Sequence, residues 1–174
     1  MNKPLHHFFT KDHEQIEKIL IKATEITGKI DMDFYHQFRT QLLRHIKMEE
    51  KILFPAAKKA DADVTKELLP QYRLEHGALT ALLVPPPTDS LIKVIRYLLE
   101  KHDLAEEEPG GLYDVCEHLT QDQTQELLDQ LHATKEVPVH PPNPAPIAMA
   151  SARRALERAG YDYDEMLLNA ERQK

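Results

Sequence analysis

The most informative part of the chain is His45-Ile46-Lys47-Met48-Glu49-Glu50-Lys51-Ile52-Leu53-Phe54-Pro55. It places a histidine and a glutamate four residues apart, and residues with this spacing lie on one face of a helix. The same face carries Phe34, Phe38, Leu42 and Ile52. Because such an apolar face packs inside a protein, His45 and Glu49 are predicted to lie in a helical core.

Three other predicted helices also carry a histidine within their apolar face. The three faces read Phe9, His13, Ile16, Leu20, Ala23; Leu69, Tyr72, His76, Leu79, Leu83; and Leu91, Ile95, Leu99, His102, Glu106. One core histidine is usually a hydrogen-bonded packing residue, but four of them with two carboxylates are costly to bury without a cation. The predicted metal ligands are therefore His13, His45, Glu49, His76, His102 and Glu106.

An internal repeat supports this set of ligands. The aligned segments are Asp12–Leu20 with Glu75–Leu83, His45–Glu50 with His102–Glu107, and Leu53-Phe54 with Leu112-Tyr113. Two helical hairpins related by a pseudo-twofold axis would each offer one lone histidine and one His-x-x-x-Glu pair to a shared centre. That symmetry is typical of a site with two metal ions.

The chain is predicted to be all-α, because its apolar residues follow helical spacing and only five glycines interrupt them. Long helices are expected over residues 5–27, 32–59 and 63–84, and from a cap at Thr88 or Asp89 to 108. Gly28 should end the first helix and Asp31 should cap the second. Shorter helices are expected over residues 112–118, 122–133, 148–159 and 162–171. Residues 1–119 should form an antiparallel up-down-up-down four-helix bundle, and residues 120–174 a helical C-terminal extension with a proline-rich connector at 137–147.

The ligand pattern resembles that of the hemerythrin-like family, also called the HHE cation-binding domain, over about residues 5 to 113. Ferritin-like bundles use the opposite order, Glu-x-x-His. The resemblance implies two iron ions bridged by carboxylates and an oxo or hydroxo group, with dioxygen or a related small molecule as the ligand. Zinc and manganese stay open as the metal, because the same donor atoms bind them.

Two further residues are weaker candidates for metal ligands. Oxygen-carrying hemerythrins have two histidines four apart on the third helix, whereas here Tyr72 stands four residues before His76. A phenolate at Tyr72 would stabilise ferric iron and favour sensing, reduction or storage over reversible oxygen carriage; the alternative is a core aromatic. Glu107 points about 100° away from the face of Glu106, which favours an outer or surface position over a ligand.

The leading hypothesis is a cytoplasmic di-iron protein that binds or senses dioxygen, nitric oxide or peroxide. The alternatives are a di-iron enzyme that reduces peroxide or oxidises iron, and a regulatory module in which metal or redox state moves the tail from Val137 onward. That extension is also the expected contact for a homodimer or a protein partner. The sequence does not decide whether the protein is an enzyme.

Composition argues against several other classes of function. The net charge is -7 and no basic tract occurs, so nucleic acid is not an expected partner. No apolar run approaches the roughly 20 residues that span a bilayer, and the start of the chain lacks a signal-peptide pattern, which favours the cytoplasm. Cys116 is the only cysteine, so we expect a buried apolar residue and no cysteine-based metal site.

Overall fold

The computed structural model describes residues 3–172, which are helical and contain no β-strand. The helices are α1 (Pro4–Ala23), α2 (Met32–Met48), α3 (Phe54–Ala60), α4 (Ala62–Leu82), α5 (Asp89–Glu107), α6 (Leu112–Leu119), α7 (Thr124–His132), α8 (Pro146–Arg158) and α9 (Tyr163–Arg172). A π-helical turn, Glu49–Leu53, joins α2 to α3, and a 3-10 turn, Gln121–Gln123, precedes α7. The all-α prediction is confirmed for these residues, and the four-helix bundle stays a prediction.

Side-chain caps begin the long helices close to the predicted positions. The Asp31 carboxylate accepts hydrogen bonds from the backbone N–H groups of Asp33 and Phe34 at 3.0 and 3.1 Å, and so caps α2 as predicted. The Thr88 hydroxyl accepts from the N–H of Leu91 at 3.1 Å, which selects Thr88 as the cap of α5. These caps satisfy N–H groups that have no partner within the helix.

The first helix is shorter than predicted. It ends at Ala23 rather than near Thr27, and the Thr24 hydroxyl donates a hydrogen bond to the carbonyl of Leu20 at 3.0 Å. This bond competes with the helical pairing of the last turn. Gly28 then adopts a φ of 75°, a left-handed conformation that glycine reaches without a steric penalty, so it lies in the turn to α2.

The chain divides into two compact units. The first unit comprises the residues up to Leu69 together with Leu104–Val139, and in it α1 packs along α2 while α6 and α7 pack against α1. The second unit comprises Pro70–Asp103 together with the residues from His140 onward, including α8 and α9. The boundary predicted at residues 119 and 120 stays a prediction, and the extension contributes residues to both units. The outer domain limits at Met1 and Lys174 lie outside the described residues.

Each unit buries most of the apolar residues that the helical spacing identified, although Phe34, Ile52 and Leu99 are only half-buried. The buried residues of the first unit include Phe9, Ile16, Leu20, Phe38 and Leu42; those of the second include Leu79, Leu83, Leu91, Ile95, Leu156 and Met166. Within residues 3–172, no helix combines the length and the apolar character that crossing a membrane requires.

Candidate metal centre

The π-helical turn lies at the predicted glutamate ligand of the second helix. In this turn the N–H of Phe54 donates to the carbonyl of Glu49, five residues back. Pro55 has no N–H, and in a regular α-helix its ring would clash with the carbonyl of Lys51. The wider turn relieves this conflict, so the helix continues through Pro55 to Ala60. Glu49 begins the turn and is completely buried.

Four predicted ligands converge inside the first unit, and we call them the first cluster: His13, His45, Glu49 and Glu106. All four are buried, and one donor atom from each lies within 4.8 Å of the others. The Nε2 atoms of His13 and His45 are 2.9 Å apart. Glu106 Oε2 lies 3.4 Å from the Nε2 of His13, and Glu49 Oε1 lies 3.5 Å from that of His45. The first cluster thus presents two nitrogen and two oxygen donors to one point.

Carboxylates hold the outer nitrogens of both imidazoles. Nδ1 of His13 lies 2.6 Å from Glu107 Oε1, and Nδ1 of His45 lies 2.9 Å from Asp12 Oδ2. A carboxylate accepts the proton of Nδ1, which leaves each Nε2 with its lone pair directed inward. Metal-binding histidines usually have this arrangement. Two inward lone pairs beside two carboxylates are stabilised by a positive charge between them, either a proton or a metal ion, so the donor set fits a metal ion.

Electrostatics within the first cluster also favour a positive charge. Burial opposes a charge on His45, yet the charge of Glu49 and the hydrogen bonds that His45 donates to Asp12 and Glu49 raise the pKa of His45 to about 9, although His13 opposes them. Burial likewise opposes ionisation of Asp12, but the hydrogen bond and charge of His45 outweigh it and lower the pKa of that carboxyl. The carboxylates that attract a proton to this imidazole would attract a metal cation equally.

Tyr113 is part of this site, and the sequence reasoning did not select it. Its hydroxyl oxygen lies 2.7 Å from Glu49 Oε1, 2.9 Å from Glu106 Oε2 and 3.1 Å from the Nε2 of His13. The internal repeat held the available signal, because it aligns Tyr113 with Phe54 and so places a phenol where the first hairpin has a plain aromatic ring.

Cys116 lies in the first unit and is buried, as expected for an apolar residue. Burial, reinforced by the charges of Glu49 and Glu106, raises the pKa of its thiol to about 12. The thiol therefore stays protonated at neutral pH, and the neutral form is a poor nucleophile and a poor metal ligand.

The second unit contains the other two predicted histidines. His76 and His102 are buried, and their ring centroids lie 4.9 Å apart. Nδ1 of His102 lies 2.6 Å from Glu75 Oε2, which repeats the imidazole–carboxylate arrangement of the first unit. Tyr72 is buried with its ring edge-on to that of His102, at a centroid distance of 5.6 Å. Its role as a metal ligand stays a prediction.

Glu75 also receives hydrogen bonds from two polar side chains. The Tyr161 hydroxyl donates to Glu75 Oε1 at 2.8 Å, and the Gln71 amide donates to the same oxygen at 2.9 Å. Burial opposes ionisation of Glu75, but the hydrogen bonds of His102, Gln71 and Tyr161 outweigh it and lower the pKa of the carboxyl. A residue of the C-terminal extension thus fixes the carboxylate that orients His102.

The structure brings the predicted ligands together within each unit. It places Glu107 at the outer nitrogen of His13, the outer position that the sequence favoured over ligation. Whether the six residues bind a metal stays a prediction. No protein-family model, curated protein or solved structure matches the chain. The resemblance to hemerythrin-like domains therefore rests on ligand spacing alone.

Proposed function

We propose that this chain is a non-haem di-iron protein that binds or senses dioxygen, nitric oxide or peroxide. The observation that carries the proposal is the first cluster, in which His13 and His45 are each oriented by an outer carboxylate toward two buried glutamates. Imidazole and carboxylate donors together suit iron, and they also suit zinc and manganese. When bound, iron would supply a redox-active Lewis acid for small ligands.

One metal ion is assigned to the first cluster, and the sequence repeat extends the proposal to a second. The second ion would be held through His76 and His102, which are buried as a pair in the second unit. Helix α5 supplies His102 and, one helical turn later, Glu106. Each half of the repeat contributes one glutamate of a His-x-x-x-Glu pair, and these two glutamates would supply the carboxylate donors.

The residues around the ligands orient the imidazoles and shield the site from water. Asp12 and Glu107 keep the imidazoles in the tautomer that presents Nε2 inward. The buried aromatic ring of Phe9 lies edge-on to His45 at a centroid distance of 5.6 Å and limits access of water. A dry site of this kind strengthens the attraction between the carboxylates and a bound cation.

A di-iron enzyme that reduces peroxide or oxidises iron is the second candidate. The Tyr113 hydroxyl favours it, because this group lies within 3.1 Å of three donor atoms and, as the neutral phenol, would bind a substrate oxygen or supply a proton. Turnover of peroxide by the iron-loaded protein would support the enzyme, whereas stoichiometric reaction without turnover would support a binding or sensing protein.

Metal analysis with a visible spectrum tests the proposal directly. The protein would be purified from iron-supplemented cells as wild type, as His45→Ala and as His36→Ala. His36 is an exposed histidine of the same helix and is the matched control. We expect about two iron ions per chain in the wild type and the control, and a large loss in His45→Ala. Iron content that survives His45→Ala, or no iron in the wild type, would contradict the proposal.

A further inference from the structure

We propose that Tyr113 is a direct ligand of the metal in the first cluster, bound through its phenolate oxygen. The inference rests on the proposed function, since it requires a metal ion among His13, His45, Glu49 and Glu106. It adds a third oxygen donor to the two carboxylates. It also transfers the phenolate role from Tyr72, where the sequence suggested it, to a residue on α6.

The first argument is the number of acceptors around the phenol. The hydroxyl oxygen lies 2.7 and 2.9 Å from carboxylate oxygens of Glu49 and Glu106 and 3.1 Å from Nε2 of His13. With Nδ1 of His13 bonded to Glu107, that Nε2 presents a lone pair. A phenol has one proton and can donate it to only one of these three acceptors at a time. A cation at their centre is attracted to all four atoms at once.

The second argument is the spacing of the donor atoms. Ligands that lie at right angles on a metal, with bonds of about 2.1 Å, are about 3.0 Å apart. The distances from the Tyr113 oxygen to its three neighbours run from 2.7 to 3.1 Å. The two Nε2 atoms are 2.9 Å apart, Glu106 Oε2 lies 3.4 Å from that of His13, and Glu49 Oε1 lies 3.5 Å from that of His45. Five donor atoms therefore have the spacing of neighbouring ligands on one ion.

The third argument is that the protein fixes the phenol in this position by contacts far from its oxygen. The Tyr113 ring stacks on Phe9 at a centroid distance of 5.0 Å, and the residue is only 1% exposed. Glu117 of helix α6 also contacts the start of α1. Its carboxylate accepts hydrogen bonds from the N–H groups of Leu5 and His6 at 2.8 and 3.0 Å. A phenol held in this way is preorganised for binding.

Ligation by a phenolate has a chemical consequence for the site. On binding, the phenol O–H bond breaks, its proton passes to solvent, and the freed electron pair of the oxygen forms the bond to the metal. A hard anionic oxygen stabilises the ferric state more than the ferrous state. This favours sensing or reduction over reversible oxygen carriage, which needs a stable ferrous form.

A visible spectrum of the iron-loaded full-length protein tests the inference. Ferrous iron would be added to metal-free protein without air and then oxidised, in the wild type and in Tyr113→Phe and Tyr72→Phe. Ferric iron bound to a phenolate has an intense charge-transfer band, and excitation in that band enhances the tyrosine ring vibrations in the Raman spectrum. We expect the band in the wild type and in Tyr72→Phe, and its complete loss in Tyr113→Phe with most of the iron retained.

Each other outcome has a defined meaning. Iron binding without the band, or a band that is lost in Tyr72→Phe and kept in Tyr113→Phe, would overturn the assignment of Tyr113 while leaving the proposed function intact. A wild type that binds no iron would overturn both. If Tyr113→Phe fails to fold, tyrosine ring vibrations that persist in iron-loaded Tyr72→Phe would support the assignment, and their absence would refute it.

Discussion

Carboxylates lie at the outer nitrogens of His13, His45 and His102, and the pattern of these contacts follows the internal repeat. Asp12 immediately precedes His13 but bonds His45, the other histidine of its hairpin. Glu75 likewise precedes His76 but bonds His102. The contact of Asp12 lies within the first unit, and that of Glu75 lies within the second. The repeat therefore includes the carboxylates that orient the imidazoles, in addition to the proposed ligands.

Glu107 aligns with Glu50 in the repeat and holds the outer nitrogen of His13, so its removal tests that contact. Changing Glu107 to Gln removes the charge but keeps an oxygen that can accept the Nδ1 proton, so we expect metal affinity to fall about tenfold with unchanged stoichiometry. Glu108→Gln is the matched control, because Glu108 is the next carboxylate and is exposed. Competition with a chelator would measure both affinities. An equal effect of the two substitutions would show that the contact has no role in binding.

The sequence identified the residues of this site better than it identified their contacts. Periodicity selected His13, His45, Glu49 and Glu106, because a polar residue in an apolar stripe is visible without coordinates. It could not select Tyr113, whose aromatic ring is an ordinary core residue and whose oxygen matters only through its neighbours in space. It also could not show which histidine Asp12 bonds.

The elements themselves were largely predictable, and the exceptions have local causes. Asp31 and Thr88 are standard helix caps, so the starts of α2 and α5 were found from residue type. The proline-rich connector ends slightly earlier than predicted, because Pro146 opens α8 at a first-turn position that proline favours. The π-helical turn was not predicted, since no residue pattern specifies bonds to the fifth residue back. Pro55 was its only indication.

The turn between α5 and α6 determines how Glu106 and Tyr113 meet, and Gly111 determines that turn. A Cβ at this position would lie 2.5 Å from the carbonyl oxygen of Ala105 and 2.9 Å from that of Glu108. We expect Gly111→Ala to reduce the free energy of unfolding by about 1–3 kcal/mol and to weaken metal binding, because the backbone must shift. Urea denaturation of the metal-free protein and chelator competition would measure the two effects.

The control for this substitution is Gly77→Ala. Gly77 lies inside helix α4, and a Cβ there would meet no atom within 4 Å. An alanine in a helix interior should raise the free energy of unfolding by about 0.5–1 kcal/mol. If Gly111→Ala stabilised the protein to the same extent, the close approach at the turn between α5 and α6 would not constrain it.

At the scale of the whole molecule, the two compact units were not visible in the sequence. Each unit combines segments that are distant along the chain, and α4 and α5 each contribute to both. Local patterns of apolar residues predict helices, but they do not specify which helices share a core. The extension from residue 120 carried no motif, so the contact of Tyr161 with Glu75 could not be anticipated. That contact links the extension to the carboxylate that orients His102.

The last prediction concerns this link between the extension and the second histidine pair. Tyr161→Phe removes the hydroxyl that donates to Glu75 at 2.8 Å but keeps the ring. The carboxylate keeps its bonds to His102 and Gln71, so we expect the free energy of unfolding to fall by only about 1–2 kcal/mol and metal affinity to fall several-fold.

Asp164→Asn is the matched control, because this exposed residue of the same extension forms a surface ion pair with Arg153, and such pairs contribute little. Urea denaturation and chelator competition would be compared between the two variants and the wild type. A loss of metal affinity in Tyr161→Phe alone would show that the extension supports the site through Glu75. Unchanged affinity in both variants would mean that the extension contributes packing to the second unit and does not tune the imidazole of His102.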